Sequence, residues 1–227
     1  MKIVDNRAVL LKLRNPQKVT TVIPKSKQLP DNKVLVNWGV EESHVLKNLN
    51  INVPSPIEGL YGWPGKYKPF SHQRTTSSFL TLNRRSFCFN EQGTGKTASA
   101  IWASDFLMEQ KRIKRVLIIC PLSIMDSAWR ADLFDFAPHR SVDIAYGAAK
   151  KRKEIINNGA EYVIINYDGI EIVFNEIANG GFDLIIADEA THYKNAQTKR
   201  WKALNKLVTP STWLWMMTGT PAAQSPL

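Results

Sequence analysis

A short glycine-rich segment has the residue types of a phosphate-binding loop. It comprises Glu91, Gln92, Gly93, Thr94, Gly95, Lys96 and Thr97. Glycines let the backbone turn so that successive N–H groups face one phosphate, next to the positive end of the following helix. The lysine of such a loop reaches the β- and γ-phosphates, and the hydroxyl residue after it holds Mg²⁺. The segment therefore predicts a site for a nucleoside triphosphate and Mg²⁺.

The segment departs from the strict phosphate-loop pattern at one position, because Asn90 stands where that pattern has glycine. A plain glycine-rich turn with an exposed lysine is the alternative interpretation. The surroundings favour the phosphate loop, since residues 87–90 have the composition of a strand and residues 97–102 have the composition of a helix start. A strand, loop and helix in this order is the context that the motif requires.

A pair of carboxylates follows another apolar run. Asp188 and Glu189 come directly after residues 184–187. A carboxylate at the end of a buried strand can contact Mg²⁺, and its neighbour can take the proton from an attacking water. Such a pair alone is also typical of a helix N-terminus. Together with the phosphate loop it predicts a hydrolytic site, with Lys96, Asp188 and Glu189 as catalytic residues and Thr97 and Asp188 as metal ligands.

These residues require a scaffold that places two loops side by side, and the apolar pattern predicts one. Short β-branched and aromatic runs predict buried strands at residues 86–90, 116–120, 142–145, 162–165, 184–187 and 213–217. Amphipathic stretches predict helices at residues 96–108, 124–136, 148–157, 169–178 and 197–207. Alternating strands and helices indicate an α/β fold with an open parallel sheet covered by helices on both faces. Such sheets bind ligands at the carboxyl ends of their strands.

The N-terminal part of the chain has a different pattern. Two apolar runs at residues 8–13 and 19–23 predict a hairpin, and residues 42–49 predict a short helix. Proline and glycine then become frequent between residues 54 and 69, which ends regular structure. We therefore expect a small β-containing appendage with a connector at residues 1–58 and the α/β domain at residues 59–227.

The charge of the chain suggests a polyanionic partner. Lysine and arginine number 30 against 20 acidic residues, which gives a formal net charge of +10. Residues 61–90 contain five basic and no acidic residues. A basic surface attracts nucleic acid through the release of bound counterions. Solubility alone explains the same charge equally well.

Composition excludes several classes of protein. Hydrophobic residues make up 44% and charged residues 22% of the chain, which is typical of globular rather than disordered sequences. Apolar runs stay far below the roughly 18 residues of a spanning helix, and the N-terminus has no apolar signal core. Cys88 and Cys120 are too few for a disulfide framework or a zinc site. We therefore expect a cytoplasmic protein without a membrane partner.

The motifs together resemble those of superfamily II helicases, and most closely those of the Swi/Snf-like DNA translocases. The motifs in family order are the phosphate loop, the box Asp188-Glu189-Ala190-Thr191 followed by Lys194-Asn195, and Thr218-Gly219-Thr220-Pro221. The resemblance covers roughly residues 66–226 and extends to helicase-like proteins of bacterial viruses, which would place the protein in a bacterial host cytoplasm. It implies a RecA-like lobe that binds ATP and Mg²⁺ and contacts the backbone of duplex DNA.

The resemblance also implies roles for single residues. Gln73 is similar to the upstream glutamine that recognises adenine, although His72 stands where relatives usually have tyrosine. Many relatives have histidine in the position of Thr191. In this chain the histidine, His192, lies one position later, so we assign it no role. Residues similar to motifs that contact DNA phosphates are Pro121, Leu122, Ser123 and Asn166. Residues similar to the segment that couples phosphate sensing to DNA are Thr218, Gly219 and Thr220.

The chain ends at Leu227, shortly after the third motif. The resemblance therefore implies that this chain lacks the second lobe of the family, which supplies the arginine fingers and the other half of the DNA track. We expect it to bind nucleotide but to hydrolyse it slowly, because loss of an arginine finger typically costs about 10³–10⁵ in rate.

Three functions are compatible with these features. The first is the ATP-binding lobe of a DNA-dependent ATPase or helicase that couples hydrolysis to translocation on DNA or to its remodelling. The second is a nucleotide-dependent adaptor without motor activity. The third is a helicase lobe directed to RNA. The resemblance favours the first.

Overall fold

The computed structural model describes residues 1–193, 195 and 197–219, which form two compact units. One unit comprises residues 1–62 with 81–83, and the other comprises residues 63–80 with 84–227. Each unit has its own sheet. Among the described helices, none combines the length and the apolar character needed to cross a bilayer.

The N-terminal unit is built on a four-stranded antiparallel sheet. Its strands are β1 (Lys2–Val4), β2 (Ala8–Lys12), β3 (Lys27–Leu29) and β4 (Lys33–Asn37), in the order β1-β2-β4-β3. Its helices are α1 (Gln17–Val22), α2 (Val40–Asn48) and α3 (Ile57–Leu60). Val9 lies opposite Val36 across β2 and β4. Both pack with Val19 of α1 and Leu46 of α2, so one face of the sheet forms the core of this unit.

The predicted strand at residues 19–23 is wrong, because this segment lies largely in helix α1. Strand β2 pairs instead with β1 and β4. Pro16 precedes the helix with a φ of −60°, which is the angle that a helix requires. Val19 is completely buried, and this burial outweighs the strand preference of the β-branched residues around it. The predictions for β2 and α2 are confirmed.

The larger unit contains a six-stranded parallel sheet. Its strands are β5 (Arg85–Cys88), β6 (Val116–Cys120), β7 (Val142–Ile144), β8 (Tyr162–Asn166), β9 (Leu184–Ala187) and β10 (Trp213–Met217). Their order is β5-β10-β9-β6-β8-β7, and all neighbours run parallel. The predicted α/β class is confirmed, and each predicted strand is present within two residues of its expected bounds.

Helices flank this sheet on both faces. They are α4 (Ser71–Thr81), α5 (Lys96–Glu109), α6 (Ala131–Phe136), α7 (Ala149–Asn157), α8 (Gly169–Ile172), α9 (Phe174–Asn179) and α10 (Lys199–Leu207). Val163 of β8 packs with residues of α7 to α10. The next residue toward the N-terminus, Tyr162, points to the other face, where its hydroxyl lies 2.9 Å from Ser104 Oγ of α5.

Two predicted helices differ in detail from those observed. The expected helix at residues 124–136 begins as a 3₁₀ turn at Leu122–Ile124, continues as a π-helical stretch at Met125–Arg130, and only then becomes α6. The expected helix at residues 169–178 is divided at Val173 into α8 and α9. Amphipathic spacing does not distinguish a π-helical turn from an α-helical one, although π-helical turns often occur at functional sites.

Candidate active site

The carboxyl ends of parallel strands lie at one edge of the sheet, and the predicted site residues lie at this edge. The phosphate loop follows β5, Thr218 and Gly219 follow β10, and Asp188 and Glu189 follow β9. Strand β10 lies between β5 and β9. The loop and the acidic pair therefore extend from strands that are roughly 10 Å apart, or two strand spacings.

Two glycines give the phosphate loop its shape. Gly93 and Gly95 have φ values of +77° and +75°, in the left-handed region that favours glycine. Gly95 directly precedes Lys96, the first residue of the 14-residue helix α5. The first amides of a helix have no acceptor within it, and the helix dipole adds positive charge there. The loop therefore ends at a helix terminus suited to bind an anion.

Lys96 is held on the loop by the loop's own backbone. Its Nζ donates hydrogen bonds of 2.9 Å to the carbonyl oxygens of Asn90 and Glu91. Thr94 Oγ1 donates to the same Glu91 carbonyl at 2.8 Å. The ammonium group is therefore held against carbonyl oxygens of the loop.

Helix α4 contacts the loop through two adjacent side chains. His72 Nε2 lies 3.0 Å from the carbonyl oxygen of Thr94, and Gln73 Nε2 donates to the same oxygen at 3.4 Å. Gln73 Oε1 accepts from the backbone N–H of Phe70 at 2.9 Å. A Cβ at Gly95 would lie only 2.1 Å from Gln73 Nε2. The structure therefore brings Gln73 against the phosphate loop, and its predicted role in recognising adenine stays a prediction.

Asn90 links the start of the loop to α4. Its Nδ2 donates to Thr76 Oγ1 at 2.8 Å, and this hydroxyl donates in turn to the carbonyl oxygen of His72 at 2.9 Å. Glycine at position 90 could not make this link. The departure from the strict motif thus has a structural role that motif comparison does not detect.

The carboxylate of Asp188 is buried and hydrogen-bonded on both oxygens. Its side chain accepts from the indole N–H of Trp129 at 2.9 Å and from the backbone N–H of Glu189 at 3.0 Å. Its backbone N–H donates to the carbonyl oxygen of Ile119 at 2.9 Å, and its own carbonyl accepts from the Tyr167 hydroxyl. Asp188 is therefore fixed at the end of β9 through both main chain and side chain.

The surroundings of Asp188 shift the pKa of its carboxyl upward. Burial raises the pKa of the Asp188 carboxyl, and the hydrogen bond from Trp129 opposes this rise. The negative charge of Glu189 raises the pKa further, and the positive charge of Lys96 lowers it. The phosphate loop follows β5 and the acidic pair follows β9, so the two flank the space at the carboxyl end of β10.

Glu189 and the segment after β10 complete this space. Glu189 has a φ of +50°, a conformation that is strained for a residue with a side chain and that often marks functional sites. Thr218 Oγ1 lies 3.5 Å from Glu189 Oε2, and its backbone N–H donates to the carbonyl of Cys88. A Cβ at Gly219 would lie 2.6 Å from Cγ of Gln92. Thr218 and Gly219 thus contact both halves of the site, and Thr220 lies outside the described residues.

The predicted DNA-contact residues separate into two groups. Leu122 and Ser123 line an open groove of about 550 Å³, together with Arg130, Tyr146 and Lys151. Pro121 precedes this groove, at the end of β6. Asn166 has an internal contact instead, since its Oδ1 accepts from the guanidinium of Arg152 at 2.9 Å.

Three further side chains make contacts around the site that the sequence analysis did not predict. Trp129 fits a core pattern, and the structure adds its bond to Asp188. Tyr167 donates to the main chain of Asp188. Arg152 is buried, and it donates to the carbonyl oxygens of Ala145 and Gly147 beyond β7. The signal in the sequence is that each of these side chains carries a polar N–H or O–H group. A buried indole, phenol or guanidinium needs a hydrogen-bond partner.

We expect the effect of Asp188→Asn on the melting temperature to be more favourable at pH 7 than near pH 4. Asparagine keeps only one oxygen for the two N–H donors of Trp129 and Glu189, and this loss is common to both pH values. Burial raises the pKa of Asp188 in the folded chain, so the ionised form destabilises the fold at any pH above the ordinary pKa of an aspartate. Removing the charge removes that cost, and the cost vanishes when the aspartate is protonated. The benefit of removing the charge should therefore shrink toward about pH 4, near the ordinary pKa of an aspartate. Scanning calorimetry at both pH values tests this, and an equal effect at both would contradict it.

The family of the chain follows from comparison with known proteins. A family described as the SNF2-related domain matches residues 24–226. The chain belongs to this SNF2-related family. The match begins upstream of residue 66, where the motif resemblance begins, so the family pattern also includes part of the N-terminal unit. The resemblance to bacteriophage proteins stays a prediction.

Curated relatives of the SNF2-related chain include helicases of yeasts. The chain is 30% identical over 165 residues to "Helicase SWR1" of Candida albicans, which covers 69% of this chain and 10% of the relative. It is 24% identical over 199 residues to "ATP-dependent helicase FUN30" of Saccharomyces cerevisiae, which covers 80% of this chain and 17% of the relative. The chain thus spans less than a fifth of the length of either relative.

A solved structure with a similar fold is the Sulfolobus solfataricus SWI2/SNF2 ATPase core in complex with dsDNA. The TM-score is 0.63 at 24% identity, and the likeness covers 71% of this SNF2-related chain and 34% of that chain. At this level of identity the likeness supports the fold alone. It agrees with the α/β architecture of the larger unit.

Proposed function

We propose that this SNF2-related chain is the ATP-binding lobe of a DNA-dependent ATPase that translocates on DNA or remodels it. One observation carries the proposal. Lys96 on its glycine loop and the buried Asp188 follow strands β5 and β9, and they flank the space at the carboxyl end of β10 in one parallel sheet. Thr218 and Gly219 contact both sides of this space. The buried, unpaired Cys88 and Cys120 support a reducing, cytoplasmic location.

In this proposal the phosphate loop binds the triphosphate of ATP. The amides at the start of α5 bind phosphate oxygens, and Lys96 exchanges its two backbone carbonyls for the β- and γ-phosphates. Gln73 already lies against the loop and recognises the adenine edge. In this arrangement one loop and the helix beside it would serve both ends of the nucleotide.

The residues present fit Mg²⁺, which prefers oxygen ligands. Each oxygen of Asp188 accepts one hydrogen bond and keeps a further lone pair. The hydroxyl of Thr97, in the first turn of α5, supplies a second protein ligand. Held by Asp188 and Thr97, Mg²⁺ would neutralise negative charge on the phosphates of the nucleotide.

Glu189 is the proposed general base. Its carboxylate takes the proton from the water that attacks the γ-phosphate. The strained backbone at Glu189 and the contact with Thr218 Oγ1 fix its direction. Thr218 contacts the proposed base Glu189 through its hydroxyl and strand β5 through its backbone N–H to Cys88. Through these contacts, loss of the γ-phosphate can be transmitted to the segment after β10.

The groove beside Ser123 is the proposed contact surface for the DNA backbone. It combines the Ser123 hydroxyl with the positive charge of Lys151, which suit phosphate oxygens. Arg130 also lines the groove, and its guanidinium is paired with the carboxylate of Asp126 at 3.2 Å. The groove lies next to β6 and β7, at the same edge of the sheet as the nucleotide site. The dsDNA in the Sulfolobus solfataricus structure and the net charge of +10 support a duplex partner.

Titration calorimetry with a non-hydrolysable ATP analogue tests the proposed function. We expect binding that requires Mg²⁺ for full affinity, and a slow basal hydrolysis that duplex DNA accelerates more than duplex RNA does. Folded protein that releases no heat with the analogue and Mg²⁺ would refute the proposal. Stronger stimulation by RNA would support the RNA-directed alternative.

We expect Lys151→Ala to weaken binding to duplex DNA without changing ATP affinity. A lysine that contacts one phosphate contributes about one unit to the slope of log affinity against log salt concentration, so this slope should fall by about 1. The matched control is Lys150→Ala, which removes the preceding exposed lysine of α7, outside the groove lining. Fluorescence anisotropy at several salt concentrations measures both slopes. Equal slopes for the two variants would contradict the assignment of the groove.

A further inference from the structure

The indole of Trp129 has an unusual partner for a core tryptophan. Its side chain is fully buried, and its Nε1–H donates to Oδ2 of Asp188 at 2.9 Å. Trp102 of α5 is equally buried, but its indole donates to the backbone carbonyl of Pro64 at 3.1 Å. Both tryptophans fill the interior of the larger unit. Only the first of these two also holds a carboxylate of the nucleotide site.

The main chain of Asp188 is fixed independently of Trp129. Its N–H bonds to Ile119 of the adjacent strand, and its carbonyl accepts from Tyr167. These contacts place the Cα of Asp188 but leave the carboxylate free to rotate. Rotation is limited by one donor on each oxygen, which are the Glu189 N–H on Oδ1 and the Trp129 indole on Oδ2.

An indole N–H suits the task of orienting a metal ligand. It donates one hydrogen bond to a charged oxygen, and such charge-assisted bonds are roughly twice as strong as neutral ones. It adds no charge that would compete with a cation, and it cannot itself bind Mg²⁺ because it has no acceptor. The ring is fixed by its burial in the π-helical stretch Met125–Arg130. Its direction is therefore set by packing.

We infer that Trp129 is a positioning residue that orients the Asp188 carboxylate for Mg²⁺ in the nucleotide site. This inference rests on the proposed ATP function. It also assigns a role to the π-helical stretch, whose Ser127 and Arg130 line the groove beside Ser123 while Trp129 points into the core. One short segment thus supplies both the groove surface and the partner of the metal ligand.

Trp129→Phe tests the inference, because phenylalanine keeps an aromatic ring and lacks the N–H. Loss of a partner that orients a metal ligand typically costs about 10–100-fold in metal affinity. We expect the apparent affinity for Mg²⁺, measured by titrating the complex with a non-hydrolysable ATP analogue, to fall by this factor. Affinity for the analogue without Mg²⁺ should stay within about twofold.

Trp102→Phe is the matched control. It removes an indole N–H of the same burial from the same unit, but its partner is a backbone carbonyl of Pro64. We expect a similar loss of thermal stability and an unchanged affinity for Mg²⁺. Equal effects of the two variants on Mg²⁺, or a loss in Trp129→Phe of the same size with and without Mg²⁺, would overturn the inference. A wild-type chain that binds no nucleotide would instead refute the proposed function itself.

If Trp129→Phe does not fold, the indole signals of the ¹⁵N-labelled wild-type chain provide a second measurement. The Trp129 proton reports directly on the oxygen that it contacts. Adding Mg²⁺ to the complex with the ATP analogue should shift the Trp129 signal and leave the Trp102 signal in place. A Trp129 signal that does not move would overturn the inference.

Discussion

Replacing Lys96 by alanine is expected to weaken the binding of ATP and Mg²⁺ at least about 100-fold. The ammonium group bonds to the carbonyl oxygens of Asn90 and Glu91, so it is already held against the loop. A hydrogen bond to a charged group contributes roughly 1.5–3 kcal/mol, and about 1.4 kcal/mol corresponds to a factor of ten in affinity. The loss of contacts to two phosphates therefore accounts for a factor of this size.

Lys206→Ala is the control for this prediction, because it removes an exposed lysine from α10, which carries no residue of the phosphate loop. Binding of a fluorescent ATP analogue measures both affinities, and thermal unfolding shows whether either variant has lost its fold. The two carbonyl acceptors of Lys96 belong to exposed or half-buried residues, so water can replace the ammonium. An affinity of Lys96→Ala within about threefold of the wild type would contradict the assignment of the loop.

The sheet could be predicted from the sequence because its central strands are short apolar runs buried on both faces. Residues 116–120, 184–187 and 213–217 have the same bounds in prediction and structure. The prediction for β5 extends two residues too far, since Asn90 belongs to the loop and bonds to Thr76. Apolar character therefore located the strands, and a polar contact decided where one of them ends.

The phosphate loop and the acidic pair could be located because each depends on neighbouring residues in the chain. Their approach to one another depends on the order of the strands, which no local pattern gives. Strand β10 is the last in the chain, yet it lies between β5 and β9. This insertion brings Thr218 and Gly219 between the two halves of the site.

The failures of the sequence analysis arose where tertiary contacts outweigh local preference. Val19 is β-branched and therefore favours a strand, but it lies in helix α1, where it packs against residues of β2 and β4. Trp129 fits a helical core pattern, and this pattern does not specify which atom the indole N–H meets. Burial is encoded in local spacing, whereas the partner of a buried polar atom is set by the packing of distant segments.

Glu189→Gln is expected to slow ATP hydrolysis about 10²–10⁴-fold while leaving ATP affinity nearly unchanged. Glutamine has the same shape and keeps an oxygen for Thr218 Oγ1, but it cannot take a proton from water. Removal of a general base typically has an effect of this size. The strained φ of +50° has the same energetic cost for glutamate and for glutamine, so the free energy of unfolding should not change. Single-turnover hydrolysis with protein in excess over ATP makes a slow reaction measurable.

The same variant separates a motor from a nucleotide-dependent adaptor. A motor loses its function with hydrolysis, whereas an adaptor needs only the bound nucleotide and keeps its function in Glu189→Gln. The control is Glu154→Gln on α7, which changes an exposed carboxylate outside the site and should hydrolyse ATP at the wild-type rate. Hydrolysis by Glu189→Gln within about threefold of the wild type would exclude Glu189 as the base. The proton would then have to pass to another acceptor, and the other carboxylate of the site, Asp188, is already the proposed ligand of Mg²⁺.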